Sequence, residues 1–535
     1  MAAADLLNLL DGLFRSSAWP GLRVGLHVAF FLVLFYLLKL MFDFRDVTGL
    51  WHLAAPKRGY RVASISLAAL FVTSLAYQAT WQLAGVFRPE FITFMQLHDR
   101  RQFNPAHRIQ RGRLLDHRGE VLAYSQEHQG QVYRLYPYGP AFAHVVGYSH
   151  PKFGAAGIEA AADAHLNGGA ASLAGWGELG RRLVTQDKRP RGQDLTLTLD
   201  AELQQRAFEL LGDRAGAVVL LRPDNGAVLV LVSTPAYDPN RISAALFQDD
   251  DPSAPLLNRA TQGLYPPGST FKTTLAAMAL DLGFSGTLYC PAEGFTTSSR
   301  YPKIRDHEYY TARRESRSWQ GYGDLDLAAA FAKSSNVFFA QLGVRYGHDV
   351  FYENAERFYF NRQIPLYESP YGTWFMRTGV IPRIRGSDQY GLAQMALGQG
   401  EVLVTPAHLA LIAAAVANQG LAMKPRLVES DPPAPLARFM PATTAWRLAT
   451  LMRKVITEGT GRGIDLKELP IAGKTGTAEN PHGDPHSWFI GFAPVERPAL
   501  AVCVLIEHGG YGAQVAAPIA RDLFRLAQER GLLEG

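Results

Sequence analysis

The sequence predicts an α+β fold for residues 193–535: one antiparallel five-stranded sheet built from strands at both ends of the region, with a helical insertion between them. Three observations carry this. Two apolar runs, "GAVVLLRP" and "AVLVLVSTP", flank the turn Asp224-Asn225-Gly226 and read as a hairpin. Three more strand candidates, "LPIAGKTGTAE", "HSWFIGFAP" and "ALAVCVLIEHGG", arrive only after residue 458. Between the two groups, from Ser269 to about Glu458, the pattern is mainly helical.

The chain of 535 residues is long enough for two or three domains, and its 47% hydrophobic and 19% charged residues describe a globular protein with added apolar segments. The net charge of +5 suits an anionic membrane surface or an acidic polymer. It is dispersed, and no basic stripe interleaved with aromatics points to nucleic acid. Cys290 and Cys503 form neither a CxxC pair nor a disulfide framework, so both read as small buried apolar residues and redox or zinc chemistry finds no support.

Residues 1–87 hold two hydrophobic segments, Val24 to Phe42 and Val62 to Trp81. Each approaches the roughly 20 apolar residues needed to cross a bilayer. The second carries Ser64, Ser66, Thr73, Ser74 and Gln78, so one or two transmembrane helices are expected. Neither leads into a small-residue cleavage site, and both read as anchors rather than a removed signal peptide. With two spans, residues 42–61 face the cytoplasm and everything beyond Phe87 lies outside it.

Residues 88–192 suggest a small pedestal module. There "RGRLLDHRGEVLAYS" reads as a hairpin around the DHRG turn, and "VVGYSHPKFGAAGIEAAADAHLNGG" as a Gly-rich loop entering an Ala-rich helix. From residue 193, "QDLTLTLD" reads as a strand and "AELQQRAFELL" as an amphipathic helix. A last helix runs from about Gln514 to Arg530.

Candidate chemistry sits in three motifs. In "PPGSTFKTTLAAMAL" a Pro-Pro-Gly break precedes a helix-forming run, so Ser269 opens a helix and Lys272 lies one turn along on the same face. In "AAAFAKSSNVFFAQLG" Ser334 and Asn336 stand at a short polar break in a helical run. In "IAGKTGTAE" Lys474, Thr475, Gly476 and Thr477 lie on a strand that its glycines let another backbone approach. Singly these are commonplace helix caps and strand ends. In the order SxxK, SxN, KTG they form the signature of penicillin-recognising acyl transferases.

With these motifs, and with "LLNRATQGLYPPGSTFK", "LAQMALGQGEVLVTPAHLA" and "HSWFIGFAP" in the same order, the chain resembles a class B penicillin-binding protein, a monofunctional peptidoglycan D,D-transpeptidase. The resemblance implies a penicillin-binding-protein/serine β-lactamase-like transpeptidase domain and no cofactor or metal. It implies Ser269 as nucleophile and Lys272 as its base, kept neutral by burial and by the nearby cation of Lys474. Ser334 is expected to relay a proton to the leaving group and Asn336 to hold the substrate amide. Thr477 N–H joins Ser269 N–H as the oxyanion site, with Thr475 and Thr477 hydroxyls and Gly476 along the carboxylate subsite beside Lys474.

The implied partners are D-Ala-D-Ala stem peptides, β-lactams, the membrane and a polytopic SEDS-family glycosyltransferase. A class A β-lactamase needs a deacylating glutamate, and "ENAERF" at 353–358 lacks that pattern. Residues 87–193 are too few for a glycosyltransferase domain. A non-catalytic sensor or scaffold and a D,D-carboxypeptidase are the alternatives that share the motifs. "NPHGDPHSW", with His482 and His486, reads as a loop without a third metal ligand. "RDHEYY", with Asp306 and His307, reads as groove wall.

Overall fold

The computed structural model describes residues 32–33, 35–36, 62, 65–78, 110–128, 131–168, 192–248, 251–369, 372–384 and 387–533. The first hydrophobic segment therefore lies almost wholly outside the described residues. Residues 65–78 of the second are helical. No helix among the described residues is long and apolar enough to cross a membrane.

The central sheet follows the order Ala472–Ala478, His486–Ala493, Leu500–Ile506, Gly216–Leu221, Val228–Thr234. Every neighbouring pair is antiparallel, with Lys474 opposite Ile490, Ile490 opposite Cys503, and Cys503 opposite Val219. Strands from the two ends of the region meet as the sequence predicts. The strands at 216–221, 228–234 and 500–506 read as apolar runs because both faces are covered. Val219, Cys503, Ile490 and Trp488 join one core with helices Lys272–Asp281 and Pro406–Ala417. Val218, Val502, Val504 and Phe489 join a second core with helices Ala201–Leu211 and Ala516–Glu529. Cys290 and Cys503 are both buried and free.

Capping residues fix where the site's helices begin. Asp326 accepts from Ala329 N–H at 2.7 Å and starts Leu327–Lys333, and Thr405 accepts from His408 N–H at 3.2 Å ahead of Pro406. Removing such a cap typically costs about 1 kcal/mol.

The N-terminal module pairs Leu114–Leu115 with Val121–His128 around the DHRG turn, as expected of a hairpin, and adds Gln131–Leu135. The "QDLTLTLD" strand shortens to Leu195–Thr196, parallel to Leu114–Leu115. Beyond it the backbone leaves the ladder, with Thr198 N–H donating to Leu427 O at 2.9 Å. The Ala-rich stretch forms two short helices, Gly157–Ala161 and Asp163–Leu166. The described residues from 110 onwards, apart from 372, form one compact unit, and side chains of the N-terminal module share the first core with the sheet.

Glu159 is fully buried in this module. Its carboxylate accepts from Arg111 Nε at 2.9 Å and from Arg134 Nε at 2.6 Å, while Arg111 Nη1 donates to Asp163 at 2.6 Å and to Asn167 at 2.8 Å. The DHRG turn reaches the catalytic part. Asp116 Oδ2 accepts from Ala201 N–H at 3.0 Å, and His117 and Arg530 converge on Asp200, the cap of the same helix. Burial opposes the charge of Asp200, but bonds from His117 and Leu203 N–H and the Arg530 guanidinium outweigh it and hold the carboxyl below its usual range.

Candidate active site

Gly268 precedes the nucleophile candidate with φ +53°, a left-handed backbone that favours glycine. A Cβ there would come within 2.5 Å of Thr477 O, so this position must lack a side chain for the 472–478 strand to pass. Gly268 N–H donates to Gly398 O at 2.9 Å, Trp488 Nε1 donates to Pro266 O at 3.0 Å, and Thr270 Oγ1 donates to Pro267 O at 2.7 Å. The Pro-Pro-Gly turn is thereby pinned from three sides. Ser269 is half-buried in the short 3₁₀ turn Gly268–Phe271, which runs directly into the helix beginning at Lys272.

The polar break in the helical run becomes a left-handed turn at Ser334, φ +59° and ψ +36°, between Leu327–Lys333 and Asn336–Arg357. Ser335 caps the second helix, accepting from Phe338 N–H at 3.2 Å. This turn delivers Ser334 to a point between two lysines. Lys272 Nζ donates to Ser334 O at 2.7 Å, to Asn336 Oδ1 at 2.7 Å and, longer, to Ser334 Oγ at 3.4 Å. Lys474 Nζ donates to Ser334 Oγ at 2.9 Å and to Thr475 O at 3.1 Å. Phe339 and Phe331 face the two Nζ atoms, each ring centroid 5.6 Å away.

Both lysines have no solvent exposure, and neither forms an ion pair with a carboxylate among the described residues. Burial drives the Lys272 pKa down to about 7, with the carboxylates of Asp306 and Glu308 pulling the other way. Burial likewise holds Lys474 well below the ordinary ammonium range, and repulsion from Lys272 lowers it further. Burial is thus the leading cause of a neutral form at both lysines, and their mutual repulsion acts in the same direction.

The KTG strand is the edge of the sheet, so part of its backbone hydrogen-bonding capacity is not used by a neighbouring strand. A Cβ on Gly476 would meet Thr270 Cγ2 at 2.7 Å and Trp488 Cβ at 2.9 Å, which explains glycine where the strand crosses the Ser269 turn. Thr475 and Thr477 alternate with Lys474 and Gly476 along the pleat. Thr475 Oγ1 lies 2.5 Å from Thr460 Oγ1, and Thr477 Oγ1 accepts weakly from Gly512 N–H at 3.4 Å.

The eight residues singled out from sequence thus fall in one region, joined by the Gly268 and Gly476 crossings and the two lysines. Asp306 departs from its expected place in the groove wall. It is buried beneath Ser334-Ser335-Asn336, while neighbouring His307 is exposed and meets the Tyr511 ring edge-on at 5.2 Å. Thr460 and Gly398 were not assigned roles from sequence, and of the two only Gly398, inside "LAQMALGQGEVLVTP", carried any signal. His486 lies on a strand, edge-on to Tyr265 and His508 at 5.7 and 5.1 Å. Among the described residues no three metal-type ligands converge.

Known proteins are similar to this chain in sequence and in fold. Residues 216–525 match the penicillin binding protein transpeptidase domain, and residues 111–193 the penicillin binding protein A dimerisation domain. The peptidoglycan D,D-transpeptidase PbpA of Mycolicibacterium smegmatis is 35% identical over 77% of this chain and 88% of its own length. The peptidoglycan D,D-transpeptidase MrdA of Acinetobacter baumannii is 31% identical over 73% of this chain and 66% of its own. An imipenem acyl-enzyme complex of penicillin-binding protein A from M. tuberculosis superposes with a TM-score of 0.70 at 30% identity. It covers 80% of this chain and 100% of that one. The chain belongs to the penicillin-binding protein transpeptidase family, as a class B member.

Proposed function

We propose that the chain is a serine D,D-transpeptidase that cross-links peptidoglycan stem peptides through an acyl-enzyme on Ser269. The observation that carries this reading is the Ser334 hydroxyl held between two buried, carboxylate-free lysines, with Lys272 one turn from Ser269. Ser269 Oγ attacks the carbonyl carbon of the penultimate D-Ala, and its proton passes to neutral Lys272. The N–H groups of Ser269 and Thr477 receive the developing oxyanion. Ser334 gives a proton to the nitrogen of the terminal D-Ala as the C–N bond breaks, and Lys272 replenishes it. An amine of a second stem then attacks the ester carbonyl and displaces Ser269, which regains its proton.

Lys474, Thr475 and Thr477 receive the terminal carboxylate, whose charge returns Lys474 to its protonated form. Asn336 holds both Lys272 and the substrate amide. A β-lactam enters the same path, because its ring C–N bond takes the place of the scissile amide.

In this reading residues 1–87 anchor the chain through the segments at 24–42 and 62–81, and residues 88–192 form the pedestal. Residues 193–535 act on the outer side of the cytoplasmic membrane, where stem peptides lie. A monofunctional transpeptidase depends on glycan strands made elsewhere, which supports a polytopic SEDS-family glycosyltransferase as partner.

The test is labelling of the full-length protein in membranes by a fluorescent penicillin. Wild type is expected to give a covalent band in the membrane fraction and Ser269→Ala none. Equal labelling of the two would overturn the assignment of the nucleophile.

A further inference from the structure

We propose that Asp306 is a positioning residue for the acylation step. Its Oδ1 gathers the start of the Asn336 helix so that Ser334 and Asn336 meet Lys272, and its buried negative charge is the counter-charge of the proton Lys272 takes from Ser269. The inference rests on the reading of Lys272 as base and adds a residue to it.

Three donors converge on one oxygen of this carboxylate: Ser335 Oγ at 2.9 Å, Asn336 N–H at 2.5 Å and Val337 N–H at 3.1 Å. Asn336 is held again through Nδ2, which donates to Arg305 O at 3.1 Å. The residue that hydrogen-bonds Lys272 through Oδ1 is therefore fixed at its backbone and at its amide, both from the 305–306 segment. An ordinary helix cap needs one such bond, and Ser335 already supplies it to Phe338 N–H.

The second oxygen is what a structural cap does not explain. Oδ2 of Asp306 is buried and has no hydrogen-bond partner. Leaving a buried carboxylate oxygen unpaired costs stability, and burial pushes this carboxyl above its usual range. An asparagine would spare the charge. The charge has a recipient in Lys272, whose proton Asp306 favours more than any other carboxylate does. Glu308, Asp324, Lys474, Cys290 and Tyr322 also face this centre, and none of them donates to Asp306.

The function follows from timing. Before acylation Lys272 must be neutral, and during it Lys272 becomes an ammonium in a dry pocket beside Lys474. A fixed negative charge behind Asn336, not itself paired with the lysine, lowers the cost of that moment without locking the proton in place.

The experiment follows the rate of Ser269 acylation by a fluorescent penicillin across pH 5.5–9 in the full-length protein, with thermal melting as a folding check. In wild type the rate is expected to rise with pH through about 7 as Lys272 loses its proton. Asp306→Asn keeps an acceptor for the three donors and removes the charge. Its rising limb should move to lower pH by about half a unit or more, and its plateau rate should fall. Ser335→Ala keeps the charge and removes one donor. It should slow the plateau several-fold with the wild-type midpoint.

An Asp306→Asn midpoint equal to wild type overturns the counter-charge, and a wild-type plateau in Ser335→Ala overturns the positioning. A wild type that fails to label at all, or labels without a rising limb, overturns the assignment of Lys272 instead.

Discussion

Glu159 and Lys272 are both ionisable, both have 0% exposure, and both lie in one compact unit, yet their surroundings are opposite. Around Glu159 two guanidiniums donate to its carboxylate and Arg111 also meets Asp163, and burial of Arg111 is outweighed by Glu159 and Asp163, so its pKa is raised. Around Lys272 the partners are a hydroxyl, a carbonyl and an amide, with a second lysine beyond. Arg111, paired with carboxylates, holds its proton and fixes geometry. Lys272, buried with no carboxylate in contact, is pushed to where its proton exchanges near neutral pH, which is what a general base requires.

The largest expected break in this comparison is Lys272→Met. Acylation of Ser269 by penicillin should fall by about a thousandfold or more, the range for removal of a general base. The melting temperature should stay close to wild type, because methionine fills a similar volume and removes a buried amine. A marked loss of stability with acylation retained would remove the contrast.

Glu159→Gln is expected to invert the pattern. It leaves Arg111 and Arg134 buried around a neutral amide and should cost about 3–5 kcal/mol of stability. The acylation rate per folded molecule should be unchanged. Denaturant unfolding paired with an active-site titration checks both. An unchanged unfolding midpoint would mean that the charge of Glu159 is not what stabilises the two guanidiniums.

The smallest effect is expected from Thr460→Val, which removes the hydroxyl beside Thr475 Oγ1. Loss of one neutral hydrogen bond is worth about 1 kcal/mol, or roughly fivefold. It should appear in the second-order rate constant at low penicillin concentration and not in the saturated rate. A change confined to the saturated rate would move Thr475 from substrate binding to the chemical step.

The features that could be read from sequence are those written in local pattern. The sheet was legible because strands covered on both faces show as apolar runs, as in "AVLVLVSTP". Ser269 and Lys272 were legible because helical spacing fixes their relation. Asp306 was not, because its task depends on Ser335, Asn336 and Val337, some thirty residues along the chain, meeting one of its oxygens. Nothing within "RDHEYY" encodes that meeting. The Lys272–Lys474 relation was half legible: proximity follows from the motifs, while the dominance of burial over repulsion needs the surrounding packing. The "QDLTLTLD" strand was overread, since alternation alone cannot reveal that Thr198 bonds elsewhere.

The pairing of Gly216–Leu221 with Leu500–Ile506 has a consequence for the order of folding. The hairpin of residues 216–234 is made well before its sheet neighbour, which is the last strand in chain order among the described residues. Closing a loop of that length costs roughly 5 kcal/mol of chain entropy before the pairing returns anything. The Ser269 turn waits on the same event, because Gly268 packs against the backbone of Thr477. A nascent or truncated chain therefore carries the nucleophile without its cleft. Activity should appear in a single late step, and any fragment ending before residue 500 presents an unpaired apolar strand edge prone to aggregation.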